Sequence, residues 1–392
     1  MSALWLVFCG FGALLLRLGM AIHSAGMVRS KNSCSTLIRS VADICLTTLA
    51  FWAIGNAILF SSPGILDPHL LFSARSAFFA ISATLIASGI VTGVASERSK
   101  FFPMCAASIL IGALVVPIIG RWQNGWLRHL GYIDGGGASI LHLTGGLCAA
   151  VAAILIGPRN GKYNRDGSSN GIPGHSVPLA SIGTLLMLIG WVPTVLGMSS
   201  ITTVDDVLNS AGNILLAAAA GGAASLLLCF FRYGKADLHL MYVGFLGALV
   251  AITASPNTLN LWAVFIGAVA GIVVPLAAIH IDLTWKIDDP TSGIAIHAVS
   301  AIWGIFTAGA LATGLTFSAR MKQIGIQLLG LAAIAALTLI LSAGLFLILK
   351  ATVGLRAREA DEFDGLDLAE HDIGAYPDFQ QTTIKSYHLR EA

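Results

Sequence analysis

Two stretches of the chain repeat one layout. Asp134-Gly-Gly-Gly-Ala-Ser-Ile-Leu-His142 and Asp289-Pro-Thr-Ser-Gly-Ile-Ala-Ile-His297 each set an acid at the mouth of an apolar segment and an imidazole eight residues further in. At about 1.5 Å rise per residue, a helix would bury each histidine roughly 12 Å below its mouth, near the middle of an apolar layer about 30 Å thick. A lone histidine in an apolar helix reads equally well as a packed, hydrogen-bonded residue. A charge at that depth costs on the order of 2.5–3.5 kcal/mol on insertion scales, so intramembrane ionisable groups tend to face a cavity or a pathway, and two at matched positions favour the pathway. Burial favours the neutral ring, which donates from one nitrogen and accepts at the other. Such a pair suits proton or ammonia traffic better than an ion-binding site.

The elements that must hold these residues are membrane spans. The 392-residue chain is only 11% charged, with a mean hydropathy of +0.82, far from the roughly one-quarter charged composition of a soluble domain. A net charge of +2 spread over short loops gives no basic face for nucleic acid. The six cysteines form no CxxC or Cys/His cluster, so neither a disulfide framework nor a metal site is expected, and no cofactor motif occurs. The first 22 residues lack a basic start and a cleavage site and read as a retained first helix.

Continuous apolar runs fall at about 3–24, 40–60, 76–96, 101–120, 137–157, 178–199, 208–231, 238–254, 259–281, 292–313 and 324–350. They predict an all-α membrane protein of eleven transmembrane helices, since only helices or closed barrels satisfy the backbone in lipid. Lys and Arg crowd alternate loops, at Arg29, Lys31, Arg39, Arg98, Lys100, Arg159, Lys162, Arg165, Arg232, Lys235 and Lys286. The other loops hold only Arg75, Arg121, Arg128, Arg320 and Lys322. The positive-inside rule then puts the N-terminus outside and the C-terminus in the cytoplasm. Residues 1–350 form the transmembrane domain, and an acidic tail over 351–392 follows as a cytoplasmic appendage. His142 lies on the fifth run and His297 on the tenth, which predicts an inverted five-plus-five helix repeat plus an eleventh helix. The two histidines would meet at the midplane from opposite faces.

Several polar residues keep two readings. Asp134 either caps its helix beside three glycines or raises cation occupancy at the outer mouth. Asp289 before Pro290 fits an N-cap with proline at the first helical position. Trp122 and Trp126 read as interfacial belt aromatics or as a cation-binding ring face. Arg17 in the first run either snorkels or pairs with a buried polar group.

Over nearly its whole length the chain resembles the Amt/Mep/Rh ammonium transporter family, nearer the Amt branch. The resemblance rests on Gly19-Met-Ala-Ile-His-Ser-Ala-Gly-Met-Val-Arg-Ser-Lys-Asn32, Gly157-Pro-Arg-Asn-Gly-Lys-Tyr163, Lys286-Ile-Asp-Asp-Pro290 with His297-Ala-Val-Ser-Ala-Ile-Trp-Gly304, and Gly365-Leu-Asp-Leu-Ala-Glu-His371. It implies an eleven-helix homotrimer with one narrow pore per subunit, at the cell (inner or plasma) membrane. His142 and His297 fall on the twin pore histidines, Asp134 on the acid below the outer vestibule, and Trp122 on the vestibule aromatic. Ammonium would be captured outside and stripped of its proton, and ammonia would pass inward. The tail resembles the segment that meets PII-type signal proteins. The chain departs from the family where Gly190-Trp-Val-Pro-Thr-Val-Leu-Gly-Met198 puts Thr194 at a gating Phe and Met198 at a vestibule Ser. Phe79 fits the other gating Phe, unless the alignment is anchored at Glu97, when Ala83 takes its place. These losses remove about 1–3 kcal/mol of cation recognition. The expected function is ammonium transport; the alternatives are an ammonium sensor with little flux and an Rh-like neutral gas channel. No enzyme motif appears.

Overall fold

The structure, a computed structural model, describes residues 3–61, 67–73, 77–199, 201 and 203–379, so Arg75 and the end of the acidic tail lie outside the described residues. Among the described residues the regular elements are helices. Eleven are apolar: α1 (Ala3–Met27), α2 (Ser30–Phe60), α3 (Ala77–Val94), α4 (Phe101–Leu127), α5 (Ala138–Ile156), α6 (Val177–Met198), α7 (Val204–Tyr233), α8 (Leu238–Thr253), α9 (Asn260–Leu283), α10 (Ile294–Ala310) and α11 (Phe317–Thr352). Each coincides with one of the apolar runs. Three run well past their apolar runs: α2 opens in Ser30-Lys-Asn-Ser-Cys-Ser-Thr36 and α11 in Phe317-Ser-Ala-Arg-Met-Lys322, and α4 continues through Arg121-Trp-Gln-Asn-Gly-Trp-Leu127, stretches that are helical without being continuously apolar.

Local chemistry sets the ends. Ser176, Thr203 and Asp237 cap α6, α7 and α8 by accepting backbone N–H groups of Leu179, Asp206 and Leu240. Gly234, at φ +70°, terminates α7 in the left-handed conformation open to glycine. The short α8 is prolonged by main chain: the N–H groups of Gly136 and Gly135 donate to its last carbonyls, Thr253 and Ala254, at 2.8 and 2.7 Å.

The first helices of the two halves, α1 and α6, lie along each other through glycines spaced by seven residues. A Cβ added at Gly19 would sit 2.6 Å from the Gly183 carbonyl oxygen, so the backbones approach as closely as small residues permit. The end of α5 and the start of α10 share one face of the bundle, where the Arg159 guanidinium after α5 binds Asp288 before α10. The two histidine helices therefore run antiparallel, the arrangement of an inverted repeat. Arg17 pairs and does not snorkel: its Nη2 donates to Asp43 Oδ2 at 2.8 Å, and the Ser88 hydroxyl donates to the same oxygen.

The described part of the tail is bound to that same face. Asp367 accepts from the N–H groups of Cys34 and Ser35, while Glu370 accepts from Arg39 and from the Phe101 N–H. Glu362, at the end of α12 (Glu359–Asp364) nearest α13 (Leu366–His371), accepts from Asn160 N–H and from Arg356. Glu370 pairs with Arg39, Asp367 accepts main-chain N–H groups of α2, and Glu362 and Asp361 pair with Arg356 and Arg358 of the tail itself.

Candidate functional site

At the mouth of α5 the Asp134 carboxylate works as a cap. Its Oδ1 accepts from Ala138 N–H at 2.7 Å and its Oδ2 from the N–H and hydroxyl of Ser139 at 2.9 and 2.5 Å. Burial pushes the Asp134 carboxyl above its usual range, while these bonds pull the other way. Gln327 on α11 holds the neighbouring residue with both arms, its amide donating to Ile133 O and accepting from Ile133 N–H.

The mouth of α10 is built alike. Asp289 Oδ2 accepts from Ile294 N–H at 2.7 Å and Oδ1 from Thr291 N–H at 3.1 Å. Here the structure corrects the sequence reading: Pro290 is not the first helical residue but part of a turn, with Ser292 at φ +54°, and the helix opens at Ile294. In both halves the eight residues are one turn of loop and about one turn of helix, so each histidine sits nearer its helix start than continuous helix would place it. Both starts are π-helical, Ala138–Leu143 and Ile294–Val299, a wider winding that recurs at functional sites.

The histidines meet. His142 Nδ1 and His297 Nδ1 are 3.1 Å apart, both residues are buried, and the ring planes differ by 6°. Trp191 on α6 lies parallel to His142 with centroids 4.9 Å apart, and its Nε1–H donates to the Thr253 hydroxyl. Trp191 and Gln327 escaped the sequence reading, although a tryptophan beside Gly190 within an apolar helix was the available signal.

The remaining residues lie further out. Thr194 is buried and its hydroxyl donates to Gly190 O at 2.6 Å, an intrahelical bond that leaves no hydroxyl proton for a ligand. Met198 sits over the glycine run, its Cε 2.6 Å from where a Gly137 Cβ would be. Phe79 packs edge-on against Gly197 and Cys9, between α6 and α1, whereas Ala83 is buried. Trp122 ends the α-helical part of α4, 37% exposed, with its ring edge-on to Trp126. The structure brings the two histidines together and sets Asp134 and Met198 at the mouth of α5, while Trp122 is partly exposed beside Trp126.

Eleven apolar helices in two antiparallel halves, joined at a buried polar point, define a multi-pass membrane transport protein. The pattern of the Ammonium Transporter Family matches residues 4–376, and the chain belongs to that family. The ammonium transporter Amt2 of Archaeoglobus fulgidus is 31% identical over 96% of this chain and 88% of its own. Amt1 of Haloferax mediterranei, also an ammonium transporter, is 30% identical over 96% and 79%. A solved structure described as a Sensor Amt Protein superposes with a TM-score of 0.89 at 34% identity, covering 94% of this chain and 97% of that one. Saccharomyces cerevisiae Mep2, at 24% identity and a TM-score of 0.80, shares the fold. Ammonium is the substrate that family membership gives this chain.

Proposed function

We propose that ammonium gives up its proton above the histidine pair and that ammonia passes His142 and His297. The observation that carries this reading is the 3.1 Å Nδ1–Nδ1 contact. One ring must donate there and the other accept, so the two Nε2 atoms are unlike, one bare and one carrying hydrogen. An ammonia molecule both donates and accepts, and such a pair serves it in either sense without a charge on the rings. Asp134 supports the site from its cap and contributes negative potential at the entrance. Trp122 and Phe79 form the aromatic part of that entrance, and Thr194 and Met198 thin it, so capture is weak. The entrance faces outward, the N-terminus lies outside, and the tail is cytoplasmic in the cell membrane. The working unit is a homotrimer, residues 351–392 form a regulatory unit offered to a PII-type protein, and the chain performs no catalysis.

A second reading is favoured by the likeness to the Sensor Amt Protein and by the tail bonded to three loops: occupancy of the entrance is relayed to the tail and flux is small. Proteoliposomes separate the two. Transport predicts saturable ammonium uptake that falls at least 100-fold in His142→Ala; binding with no uptake in the wild-type protein overturns it in favour of sensing. Deleting residues 351–392 changes regulation and leaves the dependence on His142; unchanged control would overturn the tail assignment.

A further inference from the structure

The tail side of His297 holds ionisable groups that the passage of ammonia does not require. A small cavity of about 30 Å³, room for one or two molecules of water or ammonia, is bounded by His297, His23, Ser24 and Thr291 together with apolar side chains of α1, α3, α6 and α8. His23, on α1, is buried, and its Nδ1 lies 3.1 Å from Ala180 O and 3.0 Å from the Thr184 hydroxyl, which itself donates to Ala180 O. A carbonyl oxygen only accepts, so Nδ1 carries the hydrogen and Nε2 is left bare. A second cavity, of about 460 Å³, opens to the tail face; His23 does not line it, but Ala180, which accepts the His23 bond, and Tyr242 do, together with His239, Ser292 and Asp289. The Tyr242 ring stands edge-on to His23 at 5.8 Å. His239 Nε2 bonds the Ser292 hydroxyl at 3.1 Å, and its buried Nδ1 has no hydrogen-bond partner among the described residues. Thr291 and Ser292, adjacent in the chain, line one cavity each.

We infer that His23 is a third pore imidazole that carries a proton from His297 to the tail-side cavity, with His239 and Ser292 receiving it. The step is a transfer in and out. A proton taken from ammonium at a bare His142 Nε2 sends the Nδ1 hydrogen across to His297 Nδ1 as the His297 Nε2–H bond breaks. Through one molecule held in the small cavity an N–H bond forms at His23 Nε2, giving a transient imidazolium there and leaving both pore histidines neutral in exchanged tautomers. The same proton then leaves Nε2 toward the large cavity, and neutral His23 is restored. No electron moves, and the net result is one proton delivered beside the ammonia. A purely packed histidine would need neither a cavity at a bare nitrogen nor an orphaned imidazole nitrogen on the next residue of the route.

This inference rests on the proposed passage of ammonia, and its test keeps the two apart by recording uptake of labelled ammonia and charge movement in the same proteoliposomes. The charge moved per ammonia should fall tenfold or more in His23→Gln, which keeps a hydrogen-bonding side chain and cannot hold the proton. His239→Asn, nearer solvent, should lower it several-fold, a second handle should His23→Gln misfold. An unchanged ratio in the folded variants overturns the relay and leaves passage intact. No uptake by the wild-type protein overturns passage and the relay with it.

Discussion

The two histidine helices are alike in backbone and unlike in surroundings. Both begin with a half-buried aspartate that accepts a main-chain N–H group five residues ahead, both start π-helical, and the two rings share one hydrogen bond. On the α5 side the ring is covered by Trp191, and the entrance is roofed by Met198 over Gly137. On the α10 side the ring opens on a small polar cavity and then on a large one. The difference teaches that the repeat supplies two matched helix starts, whereas the unlike surroundings of the rings come from residues of α1, α6 and α8.

The comparison can be broken most heavily at its asymmetric cover. Trp191→Ala removes the largest fully buried side chain and leaves the Thr253 hydroxyl without its donor; a loss of about 3–5 kcal/mol is expected, read as a drop in unfolding midpoint in detergent. A loss under 1 kcal/mol would show that Trp191 is not a packing element. The symmetric part is sharpened by Asp134→Ala and Asp289→Ala. Each strands buried N–H donors at a helix start, so each should cost about 1–3 kcal/mol, and the two losses should agree within a factor of two. A cost at one mouth only would deny the equivalence.

The tail face gives a pH test of smaller size. Burial opposes ionisation of Asp288, yet hydrogen bonds and charge attraction from Arg159, with the Arg98 charge, hold its carboxyl down to about 2 from 3.8. Glu97, between Arg159 and Arg29, is lowered in the same way against its burial. A carboxyl with a depressed folded value stabilises above the unfolded value and loses that contribution as pH falls through the folded one. Pepsin cleavage at the tail face should therefore rise between pH 4 and pH 2; a flat response would contradict the role of this network. The smallest effect belongs to Met198→Ser, which restores a hydroxyl at the entrance. A three- to tenfold gain in apparent ammonium affinity is expected in uptake assays, and no gain would free Met198 of responsibility for weak capture.

Much of this was legible before any coordinates. Eleven spans follow from continuous apolar runs, and the histidine pair follows from one repeated spacing, because both signals are local and lipid forbids most alternatives. The polar first turns of α2 and α11 were not legible, since a hydropathy window cannot see helix without apolar content. Trp191 beneath His142 and Gln327 on Ile133 depend on helices distant in sequence. The bonds of Glu362, Asp367 and Glu370 were not legible, because their partners Asn160, Cys34, Ser35 and Arg39 lie far away in sequence. His23 gave no signal of its own inside Gly19–Asn32, where only its position beside His297 makes it chemically notable.

The central claim is that His142 and His297 act as one unit, and a double-mutant cycle on uptake tests it most directly. With His142→Ala, His297→Ala and the double variant in matched proteoliposomes, residues sharing one bond should be strongly non-additive, each single change losing nearly as much uptake as both together. Multiplicative losses, with the double variant falling by the product of the two, would contradict a shared site.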